Sequence, residues 1–342
     1  DILVTTSSGS PEHRGKCCLF SDPKDGHSYY FSNFTLRLRP DVTRIEPRWL
    51  FYWLSSSVGR RILLRLDSTT SGLRNLNRGR YLSQWVPLPS LPEQRRIAAL
   101  FDKADAIRRK RQEAIRLADD LLRSAFLDMF GDPVTNPKGW PAGSIDLVVA
   151  DPAEDVRCGP FGTQLKVAEL QPTGVPLLGI DNVLTGRLMT PKTRCLTEEK
   201  ADELRRFDTR EGDVLITRMG TIGRAWVVPT GSRDARISYH LFRVRPAPEK
   251  CLPAFLAATV ERSGTFHVQL RQMAHGAIMD GLSTSDLRAV RFLVPPVSLQ
   301  RRYLTLLNSV AAACDRQRTQ LEEAERFLAA LTNRSFHGIS LT

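Results

Sequence analysis

The stretch SLPEQRRIAALFDKADAIRRKRQEAIRLADDLLRSAFLDMFG, from Ser90 to Gly131, decides the fold. It reads as one long helix. Ser90 and Glu93 have the spacing of a capping box, and Pro92 sits in the first turn, where a missing N–H costs nothing. Ile97, Ala104, Ala118 and Ala125 recur every seven residues, with Arg111 as one polar break. Leu100, Ile107, Ala114 and Leu121 form the expected companion column of an a/d seam. No glycine or proline interrupts the run before Gly131. Roughly 38 residues at 1.5 Å each give a rod of about 57 Å. A narrow apolar seam on such a rod requires a partner helix.

Residues 298–338 supply that partner: SLQRRYLTLLNSVAAACDRQRTQLEEAERFLAALTNRSFHG. Arg95-Arg96 returns as Arg301-Arg302, and Phe130 as Phe336, both 206 positions later. The same offset carries the seam onto Tyr303, Val310, Ala324 and Leu331, and the polar break at Arg111 onto Gln317. The chain is therefore an internal repeat of long period. Both rods follow equivalent domains, so a two-fold axis is the simplest relation between them, and antiparallel pairing is expected, with Arg111 and Gln317 meeting near the middle; parallel pairing would bring the same two together, and the rod ends tell the two apart.

The sequences before the rods also correspond. Asp1-Ile2-Leu3-Val4 resembles Asp213-Val214-Leu215-Ile216, and Thr35 to Pro40 resembles Leu241 to Pro246. Trp85-Val86-Pro87-Leu88-Pro89 is expected to be a last strand feeding the first rod. The expected class is α+β: two mixed α/β domains separated by two long helices that pair as an antiparallel coiled coil. Residues 1–89 are expected to be the carboxy-terminal part of a first domain, 90–131 the central helix and 132–297 a complete second domain. The distal helix is expected at 298–338, with 339–342 as a tail. The chain opens in a strand pattern without Met, so roughly 70 residues of the first domain are expected to precede Asp1 by analogy with the repeat.

A net charge of +12 over 342 residues favours an anionic partner, nucleic acid first, over a merely solvated basic surface. The six cysteines lack C-x-x-C spacing, which excludes a zinc ribbon and a disulfide framework and points to a reducing compartment. No apolar run reaches membrane-spanning length, and no signal peptide is present, so a cytoplasmic location is expected.

The run Leu88 to Ile97, closed by Phe130-Gly131-Asp132-Pro133, resembles the central region of the specificity subunits of type I restriction–modification systems. Gly212 to Gly223 and Cys158 to Lys166 are similar to segments of that family's target-recognition domains. The second rod departs from the pattern in lacking the counterparts of Pro92 and Glu93. The resemblance implies a non-catalytic reader of a bipartite double-stranded DNA site, with no cofactor of its own. It implies methyltransferase subunits docked on the long helices, with restriction or motor subunits as further partners. S-adenosylmethionine, ATP and Mg would then sit on those subunits. The competing expectation is a coiled-coil adaptor, or an orphan DNA-binding protein of a related phage-defence system.

The residues agree that catalytic motifs are missing. No P-loop, no G-x-G-x-x-G after a strand, no N/D-P-P-[YFW] and no H-E-x-x-H occur. Asp41 and Glu46 are too closely spaced for a nuclease pair, and Arg48 replaces the usual lysine. Candidate DNA contacts come from four places. In Thr217 to Arg224, Gly220 and Gly223 permit a tight turn, Thr217 and Thr221 can bond phosphate, and Arg218 can present a fork to guanine, with Arg224 beside it. The first-domain equivalent, Thr5 to Ser10, offers Thr5 and Thr6. In Gly159 to Lys166, Gln164 suits adenine and Lys166 phosphate. In Ser71 to Arg80, Arg74, Asn77 and Arg78 are the contacts. The plainer reading of each is an ordinary turn with solvated side chains. Trp49, Trp53, Trp85, Trp140 and Trp226 are read as core; of the basic run Arg108 to Arg111, the three residues off the seam are read as a solvated face of the rod ahead of a contact to spacer-DNA phosphates.

Overall fold

The computed structural model describes residues 1–8, 13, 15–64, 67–70, 73–274 and 281–336, with backbone alone for 62–64, 67–70 and 73–75. It is α+β, with two 40-residue helices: a first rod, Leu91–Phe130, and a second, Val297–Phe336. Among the described residues, no helix is long and apolar enough to cross a membrane. The chain divides into two compact units, Asp1–Arg116 with Cys314–Thr342, and Leu117–Ala313. Each unit holds one mixed domain and part of each rod.

In the first unit an antiparallel sheet has the order Cys17–Leu19, Ile2–Thr5, Thr35–Leu38, with Leu3 opposite Arg37. Helices Pro47–Ser55 and Ser57–Leu64 follow. The second unit repeats this order as Ala225–Val227, Val214–Thr217, Leu241–Val244, with Leu215 opposite Arg243, and adds Val156–Cys158 beyond Leu241–Val244. An ion pair repeats with the strands. Arg245 Nε donates to Asp213 Oδ1 at 2.7 Å, and Arg39 Nε donates to Asp1 Oδ1 at 2.7 Å. A second small sheet, Arg194–Leu196 with Val175–Leu178 and Arg236–Ile237, belongs to the second unit.

The rods pair antiparallel within each unit. In the first, Ile97 and Phe101 pack with Leu328, Leu331 and Phe336; the Phe101 and Phe336 rings stack at 5.6 Å. In the second, Phe126 and Phe130 pack on Tyr303, whose hydroxyl donates to the Leu122 carbonyl. Arg111 donates to Gln317 Oε1 at 2.9 Å and also to Gln320 Oε1. The polar break therefore faces its own repeat, as expected.

Three local expectations are corrected. The companion column of the seam is Phe101, Arg108, Ile115, Leu122 and Met129, four residues after the first column rather than three. Ile107 and Leu121, placed in the seam by the sequence, are 47% and 53% exposed. A seven-residue period fixes the repeat but not which flank of the first column faces the partner; the larger Phe101 and Leu122 decide it. Glu93 does not close a capping box: its carboxylate accepts from both Nε and Nη2 of Arg96. Trp85–Pro89 forms no strand, and Trp85 is 83% exposed. The counterpart of Val86-Pro87, Phe292–Leu293, pairs with Ala142–Gly143, whereas the described residues of the first unit offer no such partner strand. Trp49 and Trp53 are core, as expected, and Trp140 and Trp226 are half-buried.

One device was not anticipated. Gln94 and its repeat Gln300 are both fully buried. Gln94 accepts from Glu46 N and donates to the carbonyls of Arg44 and Pro89, at 2.8, 3.1 and 2.9 Å. Gln300 accepts from Leu252 N and donates to the carbonyls of Lys250 and Pro295, at 2.8, 3.1 and 2.8 Å. Every partner is shifted by the same 206 positions. Each amide ties the start of a rod to the entry of the helix that opens with Pro47 or Pro253. A buried amide with all its partners satisfied fixes geometry as well as adding stability.

Candidate functional site

In the second unit, the strand Val214–Thr217 ends at a turn where Gly220 and Gly223 adopt φ of +67° and +80°, the left-handed region open to glycine. Thr217 is fully buried, and its hydroxyl closes the turn by donating to the Thr221 carbonyl and accepting from Arg224 N. Its expected phosphate contact is therefore replaced by a structural one. Gly220, Thr221 and Arg224 are exposed at the tip, although Arg224 Nε is engaged with Glu261 at 3.1 Å.

Arg218 departs furthest from expectation. Its fork is turned inward and only 5% exposed. Nε donates to the Leu282 carbonyl, Nη2 to the Gly281 carbonyl at 3.0 Å, and Nη1 to the Tyr239 carbonyl at 2.9 Å and to Cys158 Sγ. Its guanidinium carbon also lies 4.8 Å from the Phe161 ring centre. A planar donor set with fixed directions suits this task, since several carbonyls must be satisfied where water is excluded. Burial pushes the Cys158 thiol up, against the pull of Arg218. Burial, reinforced by Arg218, holds His240 below the usual imidazole range.

Through Arg218 two of the sequence-picked loops meet. Phe161 and Lys166 from one, with Arg218 and Met219 from the other, line a cleft of about 910 Å³ together with Ser238, Tyr239 and His240. Gly159 lies against the Ser238 carbonyl so closely that any side chain would collide with it. Lys166 is exposed at the cleft. Gln164 is exposed too, but its carbonyl oxygen accepts from Phe161 N at 3.1 Å, so its amide shapes its own turn. Tyr239 and His240 were missed by sequence reading; an exposed aromatic beside a histidine, between two strands, was the available signal.

In the first unit the other candidates also converge. Strand Ser7–Ser8 pairs with Leu73–Leu76, placing Ser8 opposite Arg74, and Leu76 N donates to the Thr6 carbonyl at 2.9 Å. Thr5 and Thr6 are half-buried, and Arg78 is exposed. Asn77 caps the helix Arg78–Leu82 by accepting from Arg80 N, so its side chain is engaged. The side chain of Arg74, with residues 9–10, 71–72 and 275–280, lies outside the described residues.

No family model matches the sequence. The specificity subunit of the type I restriction enzyme StySPI from Salmonella potsdam is 30% identical over 152 residues, which is 43% of this chain and 32% of that relative. The chain thus aligns with about a third of that relative's length. A Methanocaldococcus jannaschii chain assigned as the MjaX type I specificity subunit is 20% identical over 355 positions, 97% of this chain and 76% of the relative. The crystal structure of the type I restriction–modification S subunit from M. genitalium shares the fold, with a TM-score of 0.57 at 15% identity. It covers 99% of this chain and 83% of that one. The chain is thus similar in sequence to type I specificity subunits over part of its length, and it shares the fold of a type I S subunit along nearly all of it.

Proposed function

We propose that this chain is the DNA-reading subunit of a type I restriction–modification complex and performs no chemistry itself. Each domain reads one half of a bipartite duplex site, and the paired rods set the gap between the halves. The observation that carries this reading is the Gln94 and Gln300 pair of anchors. Two domains fixed to two rods through identical contacts present two equivalent surfaces, as a split site requires. The net charge of +12 suits a phosphate-rich partner.

In the second domain, Lys166, Thr221 and the exposed part of Arg224 are the expected phosphate contacts, with Gly220 allowing close approach. Gln164 and Thr217 shape their turns, and Arg218 positions the reading loops. In the first domain, Arg74, Arg78, Thr5 and Thr6 take the corresponding role, with Asn77 shaping the turn. The exposed apolar flank of the rods, with Ile107 and Phe327 in the first unit and Leu121 in the second, suits helices of methyltransferase subunits. S-adenosylmethionine would act on those subunits, and ATP and Mg on a restriction subunit, in the cytoplasm.

Co-expression with the methyltransferase partner, followed by methylome sequencing, tests the reading. One bipartite adenine-methylated motif is expected. Absence of any motif, together with duplex binding that shows no sequence preference, would overturn it.

A further inference from the structure

The cleft of about 910 Å³ in the second domain is larger and more enclosed by aromatic side chains than a surface that only touches phosphates needs. Its wall is an aromatic series: Phe161 and Tyr239 lie 6.4 Å apart between ring centres, and Tyr239 and His240 lie 3.8 Å apart. His240 covers one face of Tyr239, yet Tyr239 remains 43% exposed and Phe161 51%. Both rings are held in place, since Arg218 supports Phe161 from 4.8 Å and grips the Tyr239 carbonyl. At the mouth stand the cations Lys166, Lys192 and Arg194, all exposed. The Asp181 carboxylate, 3.4 Å from Lys192, lies beside them as an acceptor.

We propose that this cleft holds one unpaired nucleobase, stacked on Tyr239, with its phosphate on the lysines at the mouth. This rests on the DNA-reading function proposed above and deepens it. Among the parts of a nucleic acid, the face of a ring is best matched by the face of a base, and a base inside a duplex offers its edges alone. A fixed aromatic with one free face, an acceptor for an exocyclic amino group and cations at the entrance match a nucleotide lifted out of the stack. His240 is held toward its neutral form, and its Nδ1 lies 3.3 Å from Ser238 Oγ. It therefore backs Tyr239 without setting a second full charge beside Arg218. The same chemistry would fit a free mononucleotide, so the test must separate the two sources.

The full chain is titrated with three probes: a fully paired duplex, the same duplex carrying one bulged 2-aminopurine, and AMP as competitor. The bulged duplex is expected to bind more tightly than the paired one, with the 2-aminopurine fluorescence quenched. Tyr239→Ala should remove that preference by roughly 5- to 150-fold, the range of one base–aromatic stack. Tyr239→Phe should retain it, and paired-duplex binding should persist in both variants. Equal affinity for bulged and paired duplexes, or a bulge preference that survives Tyr239→Ala, overturns the proposal while leaving the DNA reader intact. Tyr239-dependent binding of AMP without any bulge preference also overturns it, in favour of a free nucleotide. Failure to bind either duplex overturns the DNA reader itself, and this inference with it.

Discussion

Arg218 and Gln94 show what single side chains do here and how far a sequence can reveal it. The turn around Arg218 was legible because two glycines bracket it, but the direction of its fork was not. That direction depends on the carbonyls of Tyr239, Gly281 and Leu282, up to 64 positions away. Arg218→Ala would leave those buried acceptors unsatisfied, at a cost of about 2–4 kcal/mol in chemical denaturation. Lysine should not rescue, since one ammonium cannot reproduce the fork. A fork that read guanine directly would instead change base preference with stability unaltered. Gln94→Leu and Gln300→Leu should each destabilise by about 2–3 kcal/mol, because each strands two carbonyls and an amide. The two sites share no partner, so the double variant should lose the sum, and a marked departure from additivity would show that the anchors are coupled. The Gln pair went unread in the sequence although it recurs at the repeat offset, and only the structure shows that both amides are buried. For His240, burial and then Arg218 depress the pKa, so the unfolded chain binds protons more readily than the folded one. Its contribution is present above the unfolded imidazole pKa and is lost as pH falls through the lower folded value. His240→Gln should flatten that acid-side loss in a melting series.

At the scale of elements, the rods were the most legible part of the chain and also the place of a specific error. Their extent and central polar contact follow from periodicity, because a seven-residue repeat and its break survive translation along the sequence, and their antiparallel sense follows from the two-fold relation expected of two repeated domain-and-rod units. The flank facing the partner does not follow. Alanines at 104, 118 and 125 are compatible with neighbours at either three or four positions, and only packing shows Leu122, 2% exposed, inside and Leu121 outside. Strand pairing in the small sheets was less legible still, since elements as short as Phe292–Leu293 carry no period of their own. The central layer gives a direct test. One terminal nitrogen of Arg111 donates to the carbonyl oxygens of Gln317 and Gln320, both uncharged, while its Nε is buried without a partner. Gln317→Arg removes one acceptor and sets a second guanidinium against the first, with an expected loss of about 1–3 kcal/mol. Added salt should recover part of it, because like-charge repulsion is screened. Gln317→Glu should stabilise instead at neutral pH. Melting curves of the three proteins at two ionic strengths should rank Glu above Gln above Arg, and any other order would mean that Arg111 does not depend on this contact.

For the whole molecule, the proposed role turns on length. A 40-residue helix is about 60 Å long, and two such rods joined to equivalent domains would act as a ruler between half-sites. The antiparallel register that faces Arg111 with Gln317 also faces Ala118 with Val310. Removing residues 112–118 from the first rod and 310–316 from the second therefore keeps the remaining partners matched. Seven residues span about 10 Å and nearly two full helical turns, so the seam keeps its phase to within about 20°. Ten ångströms correspond to about three base pairs of axial rise, and the preferred gap should shorten by that amount. Three base pairs also rotate one half-site by roughly 100° about the DNA axis, which the domains must follow or lose contact. Methylation of a library in which only the spacer varies should thus show a shifted optimum at reduced overall rate, with both half-site sequences unchanged. An unshifted optimum in a folded, methylating variant would mean that something other than the rods measures the gap. Loss of methylation at every spacer, with each half-site still bound, would mean that the rotation rather than the length is what the complex cannot accommodate.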